Sequence, residues 1–211
     1  MAVSTKRKRS DQTHDRSKRA PSGAAVLRED VTASLRRALF EEWARTGYDA
    51  LSLERVANRA GVGKAALYRR WSSKSEFAAD SLRTIALSVT PVPDTGSLED
   101  DIRTLLRAVL RLLRSPVVRA ILPDLHAHSG RNGELAPVQA ELASTRRKRA
   151  EQVIDRAVGR GELSGSVDRE LCLDLLAAPL YWRLVVVSGA CGRARLERLV
   201  SATLAALRAT V

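Results

Sequence analysis

The strongest constraint on the fold lies between Leu51 and Lys74, which reads Leu-Ser-Leu-Glu-Arg-Val-Ala-Asn-Arg-Ala-Gly-Val-Gly-Lys-Ala-Ala-Leu-Tyr-Arg-Arg-Trp-Ser-Ser-Lys. Val56, Ala57 and Ala60 share one face of a short helix, and Gly61 interrupts it. Val62, Ala66 and Leu67 then give a second short helix its own apolar face. Two short helices joined by a glycine-containing turn form a helix-turn-helix, here over about residues 52–71.

The second of these helices, Lys64 to Arg70, carries Lys64, Tyr68, Arg69 and Arg70 beside the small Ala65 and Ala66. Small side chains allow close approach to a major groove, and cationic ones meet phosphates and base edges. On this local pattern alone, a surface helix with ordinary charges is the plain alternative.

The segment Ala60-Gly-Val-Gly-Lys-Ala-Ala-Leu-Tyr-Arg-Arg-Trp-Ser-Ser-Lys74 resembles the DNA-binding signature of the TetR family of transcriptional regulators. Ala-Gly-Val, Leu-Tyr, an aromatic residue and Ser-Lys all stand in register. Gly63 occupies a place where the family often has Ser or Thr, Arg70 one where His is common, and Trp71 one where Phe is usual. The missing hydroxyl at Gly63 removes one expected cap, although backbone N–H groups there can still bind phosphate. By the family's motif positions, Ser52, Gly63, Tyr68 and Lys74 are expected to hold phosphates, while Lys64, Ala65, Ala66 and Arg69 face the groove.

The net charge of +12 is concentrated early in the chain. Residues 1–23 hold seven Lys/Arg against two acids, and residues 24–75 hold ten against six. That asymmetry is what a nucleic-acid footprint requires. Residues 1–23 lack helical apolar periodicity and read as a disordered basic tail, either an arm along DNA or a solvated leader.

Beyond the motif, helical periodicity recurs throughout and no stretch alternates convincingly as a strand. The expected fold is all-α with about nine helices. A three-helix, homeodomain-like head over 24–73 precedes a helical ligand-binding and dimerisation domain over 74–211. Ser73 and Glu76 fit a capping box for the helix that leaves the head, so a tilt of that helix can carry a signal. Ser129 to Gly133 reads as a loop, and Pro179 as a bend in an apolar helix. The last helix bears a stripe of Leu196, Leu199, Val200, Thr203, Leu204 and Leu207. This stripe is expected at a homodimer interface, because one recognition helix per chain needs a twofold partner to read a palindrome. Burial of the stripe against its own chain is the alternative.

The resemblance implies a small-molecule effector bound among the later helices, but family pockets diverge too far to transfer residues. His126, Tyr181 and Trp182 are the candidates: an aromatic pair after the Pro179 bend, for which core or interface packing is the alternative, and a histidine that can give a cavity a polar lining or simply mark a helix end. Asp124, His126 and His128 also suggest a metal site, but helical spacing turns the two histidines to different faces. No metal or cofactor is expected. Gly61-Val-Gly-Lys-Ala-Ala66 matches a dinucleotide-binding pattern but follows a helix rather than a strand.

No apolar run spans a membrane and no apolar segment follows the basic N-terminus, so a cytoplasmic protein is expected. Cys172 and Cys191 lack metal or redox spacing and are expected to be reduced. Together these features point to a dimeric, effector-released transcriptional repressor on double-stranded DNA and not to an enzyme. An architectural, non-specific DNA binder is the main rival, and a small hydrolase or transferase the lesser one.

Overall fold

The computed structural model describes residues 23–88, 92–130 and 133–211. The basic tail lies outside the described residues except for Gly23, which already begins the first helix. Among the described residues there are nine α-helices, one π-helical segment and no strand.

Helices α1 (Gly23–Thr46), α2 (Leu53–Arg59) and α3 (Lys64–Tyr68) form the head, with α4 (Lys74–Ser88) leading away from it. Leu35, Leu39 and Trp43 of α1 meet Val56, Ala57, Leu67, Trp71 and Phe77 in a fully buried core. The spacing of four along α1 explains this, since it sets one apolar stripe against the two short helices.

The remaining helices are α5 (Leu98–Leu113), α6 (Pro116–Gly130), α7 (Ala136–Gly159), α8 (Arg169–Tyr181) and α9 (Arg193–Arg208). Helix α5 is central to a second core. Its Leu98, Ile102, Leu106 and Leu110 pack with Val153 and Ile154 of α7, Leu176 and Leu180 of α8, and Val200 and Leu207 of α9. Ser97 and Asp168 cap α5 and α8 as their positions imply, accepting from Asp100 N and Leu171 N.

Packing crosses the boundary expected after residue 73. Ile121 and Leu125 of α6, and Leu135, Val138 and Leu142 at the start of α7, belong to the same buried cluster as the head. A long helix leaving the head is therefore not its sole connection to the rest of the chain.

Three local expectations are corrected. Ser73 Oγ accepts from Glu76 N at 3.1 Å as the N-cap, but the return contact of the capping box differs: the Glu76 carboxylate accepts from Ser72 N and Oγ instead of Ser73 N. Helix α6 continues through Ser129 and Gly130, where a loop was expected, and residues 131–132 lie outside the described residues. The bend at Pro179 is resolved as a π-helical segment, Trp182–Val186, in which Val187 N reaches Trp182 O at 3.0 Å. A widened turn of this kind re-pairs backbone groups after the proline has removed a donor.

Most of the α9 stripe is interior to its own chain. Leu196, Val200, Thr203 and Leu207 are 4%, 0%, 4% and 0% exposed and pack inside their own chain, with Leu199 and Leu204 partly buried beside them. These four face α5 and α8 of their own chain, whereas Leu199 and Leu204 keep part of their surface exposed. Both cysteines are free and buried, with Cys172 Sγ 3.2 Å from Thr210 Oγ1.

Glu42 holds the head together from within. Its side chain is fully buried, and Arg45, Arg55 and Arg59 converge on it, with Arg45 at 2.8 Å and Arg59 at 3.5 Å. Burial alone raises the carboxyl pKa, but the hydrogen bonds and charges of Arg45 and Arg55 outweigh it and hold the group below its ordinary value. The folded state thus binds this proton more weakly than the unfolded chain does. Its stabilisation is complete above the usual carboxylate range and fades as pH falls below it. Glu42→Gln is expected to destabilise the protein by about 1.5–3 kcal/mol at neutral pH. Denaturant unfolding at pH 7 and pH 3 checks this, and the difference from wild type should shrink at the lower pH.

Candidate nucleic-acid interface

The turn before α3 is set by backbone geometry. Gly61 has φ +67°, which a side chain would strain. Val62 N donates to Ala57 O at 2.9 Å and Gly61 N to Asn58 O at 3.1 Å, closing α2 with a Schellman motif. Ser52 caps the start of α2 by accepting from Arg55 N at 3.4 Å.

Leu67 is the anchor of α3, with no exposed surface. The opposite side of the helix is uncovered: Lys64, Ala65, Tyr68 and Arg69 are exposed and Ala66 is half-buried. Gly63 is the N-cap of α3 in extended backbone and provides no side-chain hydrogen bond. Ala66 N already donates to Gly63 O at 2.8 Å, which leaves the Lys64 and Ala65 N–H groups at the start of α3 for an incoming acceptor.

The cations differ in their freedom. Lys64 Nζ lies 3.6 Å from Glu54 in an exposed pair, which holds it only weakly. Arg70 is turned back onto Ala66 O at 2.9 Å. Arg69 makes no ion pair among the described residues. Lys74 points towards the loop between α1 and α2: its ammonium donates to Tyr48 O at 3.0 Å and Asp49 O at 3.3 Å and sits 4.4 Å from the Tyr48 ring centroid.

Trp71 gives the departure from the usual Phe a structural reason. Its ring stacks on Phe77 with centroids 3.9 Å apart, and its indole N–H donates to Asp80 at 3.0 Å. Asp80 also accepts from Arg36 at 2.9 Å, so the indole joins α3, α4 and α1 through one carboxylate.

Behind this surface, α6 grips the head. Asp124 Oδ2 accepts from Trp43 Nε1 at 2.6 Å and from Tyr48 N at 2.8 Å. His128 Nε2 lies 2.9 Å from Asp49 Oδ1, and Tyr48 OH donates to Glu134 at 2.7 Å. Burial and Glu134 raise the Tyr48 pKa, so the phenol remains a donor. A recess of about 330 Å³ opens at this junction between Tyr48, Asp49, His128, Gly133 and Glu134. The sequence suggests Asp124 as a metal ligand, a polar lining of a cavity or a plain helix end, and gives Tyr48 no role. Their partners lie 81 and 76 residues away for Asp124 and 86 for Tyr48, beyond any local pattern.

The effector candidates separate. The His126 and Tyr181 rings stack at 5.6 Å and 17°, joining α6 to α8. Burial and then the nearby Arg146 charge lower the His126 pKa, and burial raises that of Tyr181. Arg146, also desolvated, was hidden from sequence reading within Arg146-Arg-Lys-Arg149. Trp182, by contrast, is 61% exposed and lies outside this cluster, because the π-helical segment turns it to the surface. His128 faces the head while His126 faces α8, so the two histidines do not converge.

Among the described residues, no helix is long and apolar enough to cross a membrane. Residues 35–80 match the family described as bacterial regulatory proteins, tetR family, and residues 92–203 match the tetracyclin repressor-like C-terminal domain. The HTH-type transcriptional regulator YdeS of Bacillus subtilis is 31% identical over 75% of this chain and 80% of its own length. The DNA-binding transcriptional repressor TetR of Mycobacteroides abscessus is 32% identical over 85% of this chain and 94% of its own. The solved TetR family transcription regulator SCO0332 superposes with a TM-score of 0.62 at 30% identity, covering 83% of this chain and 97% of that one. Salmonella enterica GusR shares the fold, with a TM-score of 0.69 at 20% identity over 84% of this chain and 95% of its own.

A Cβ at Gly63 would meet no atom within 4 Å, so a serine fits there without strain. Gly63→Ser is expected to raise stability by about 0.5–1 kcal/mol, through the restored cap and a less flexible unfolded chain. Thermal unfolding of the two proteins side by side measures it, and an unchanged or lower midpoint would contradict the open N-cap. The uncovered face of α3, the turn that presents it and the matches along both parts of the chain lead to one conclusion: the chain belongs to the TetR family and is a helix-turn-helix transcriptional regulator.

Proposed function

We propose that the protein is a homodimeric repressor that reads a palindromic operator and leaves it when a small molecule binds among α6, α7 and α8. The observation that carries this reading is the double engagement of α6. One side of it holds the head through Asp124 and His128, and another carries His126 against Tyr181. A ligand that parts the stacked rings must move α6, and movement of α6 displaces the loop that orients α2 and α3.

Operator contacts follow from the exposed surface. Lys64 and Arg69 suit guanine O6 and N7, and Ala65 and Ala66 suit thymine methyls. Ser52, Tyr68 and the N–H groups after Gly63 suit phosphates. Lys74 has three N–H donors and uses two on the loop carbonyls, which leaves one for a phosphate. Exposed Leu171, Trp182 and Val186 on α8 and the π-helical segment supply apolar area for the second protomer, together with the outward Ala202 and Ala205 of α9. Leu199 and Leu204, the partly exposed members of the α9 stripe, add to this surface.

Selection from a randomised duplex library at physiological salt tests the proposal. An enriched palindrome supports it; retention without any motif, vanishing as salt rises, supports a non-specific architectural role instead. With the operator in hand, Lys64→Ala is expected to cost about 1–3 kcal/mol at one base position, whereas Tyr68→Phe weakens all sequences alike. Equal losses of Lys64→Ala on operator and scrambled DNA would refute that division.

Release depends on reciprocal coupling: effector and operator weaken each other by the same factor, commonly about 5–150-fold. Asp124→Asn keeps the shape of the α6 junction but weakens its acceptor. It is expected to reduce this coupling several-fold while effector affinity measured without DNA stays close to wild type. Titrations of effector with and without operator check both. Undiminished coupling would show that the signal bypasses α6.

A further inference from the structure

A second recess, of about 410 Å³, lies between α5 and α9, away from the His126–Tyr181 stack. Its walls carry Arg107, Arg111, Arg114 and Arg193, and Leu110 and Leu196 also line it. One acid, Glu197, lines it and is already engaged by Arg107 at 3.1 Å and Arg103 at 2.9 Å. Arg114 is steadied by donating to Cys191 O at 3.1 Å. Among the described residues, Arg111 and Arg193 make no ion pair.

Four guanidinium groups around one recess repel one another, and a single shared carboxylate leaves an excess of three positive charges. Surface arginines spaced for solubility alone are usually interleaved with acids, as on the exposed side of α7, where Arg147 meets Glu170 and Asp174. Here the excess is gathered over two leucines that are 6% and 4% exposed. Guanidinium groups match carboxylate and phosphate in bidentate geometry, and an apolar floor takes up a hydrocarbon body.

We infer that the α5–α9 recess binds a small amphiphilic anion, a phosphate or carboxylate head on an apolar chain. Arg111 and Arg193 take the head, Arg107 and Arg114 supply the surrounding field, and Leu110 and Leu196 receive the first carbons of the chain. The volume falls within the usual range of small-molecule sites, about 300–1,000 Å³. The site stands apart from the effector reading above, because it requires neither operator binding nor movement of α6.

Calorimetric titration of the full chain without DNA decides the matter, using octyl phosphate and octanoate below their micelle concentrations. Inorganic phosphate and octanol serve as probes of head and chain alone. At least one of the two amphiphiles is expected to bind, and to bind more tightly than either single-feature probe. The double substitution Arg111→Gln/Arg193→Gln should weaken it at least tenfold while leaving the unfolding midpoint unchanged, since both side chains are exposed. Lys64→Ala/Arg69→Ala, which removes cations from α3, should leave it unaltered. The inference fails if neither amphiphile binds, if octanol binds equally well, or if the loss follows the α3 substitutions rather than those in the recess. A preference between octyl phosphate and octanoate then assigns the head as phosphate or carboxylate.

Discussion

The arrangement of the molecule depends on one carboxylate. Asp124, in the middle of α6, accepts from the Trp43 indole at the end of α1 and from the Tyr48 amide in the following loop. Short charge-assisted hydrogen bonds of this kind are directional, and they fix both the angle and the distance between two elements. The loop they hold is also tied by Lys74 from the start of α4 and by His128 from α6. Since α2 and α3 follow directly from that loop, the attitude of the recognition helix depends on Asp124, which lies 76 residues from the Tyr48 amide that it holds.

Electrostatics divide the head into a spent side and a free side. Arg45, Arg55 and Arg59 are drawn onto buried Glu42, and Arg36 onto Asp80. These arginines stabilise the helix packing and contribute little net field at the groove. The free cations of the motif are Arg69 and, behind a weak exposed pair, Lys64. An overall count of basic residues thus overstates what is available to nucleic acid, and the distribution of partners determines which side chains can read it.

Shared packing gives the coupling a physical basis. The head does not rest on the second part of the chain as a separate body, because residues from α6 and α7 are built into its core. The second core, centred on α5, meets the same α6 and α7 from the other side. A close-packed interior transmits displacement instead of absorbing it, and α6 and α7 contribute side chains to both cores.

The sequence by itself determined the local features. The helix-turn-helix follows from Gly61 and the short apolar faces around it, the all-helical class from periodicity, and the caps at Ser52, Ser97 and Asp168 from side chains that reach two or three residues. These depend on interactions within one or two helical turns, which a linear pattern records. Tertiary structure alone decided which apolar face of α9 is interior, that Trp182 faces out while His126 and Tyr181 meet, and that Asp124 grips the head. A stripe of leucines states that a face must be buried but not against what, and a polar side chain states what it can bond but not what will be near it. Both are fixed only when α5, α6 and α8 are brought together, so local pattern specifies the elements and packing specifies what each of them meets.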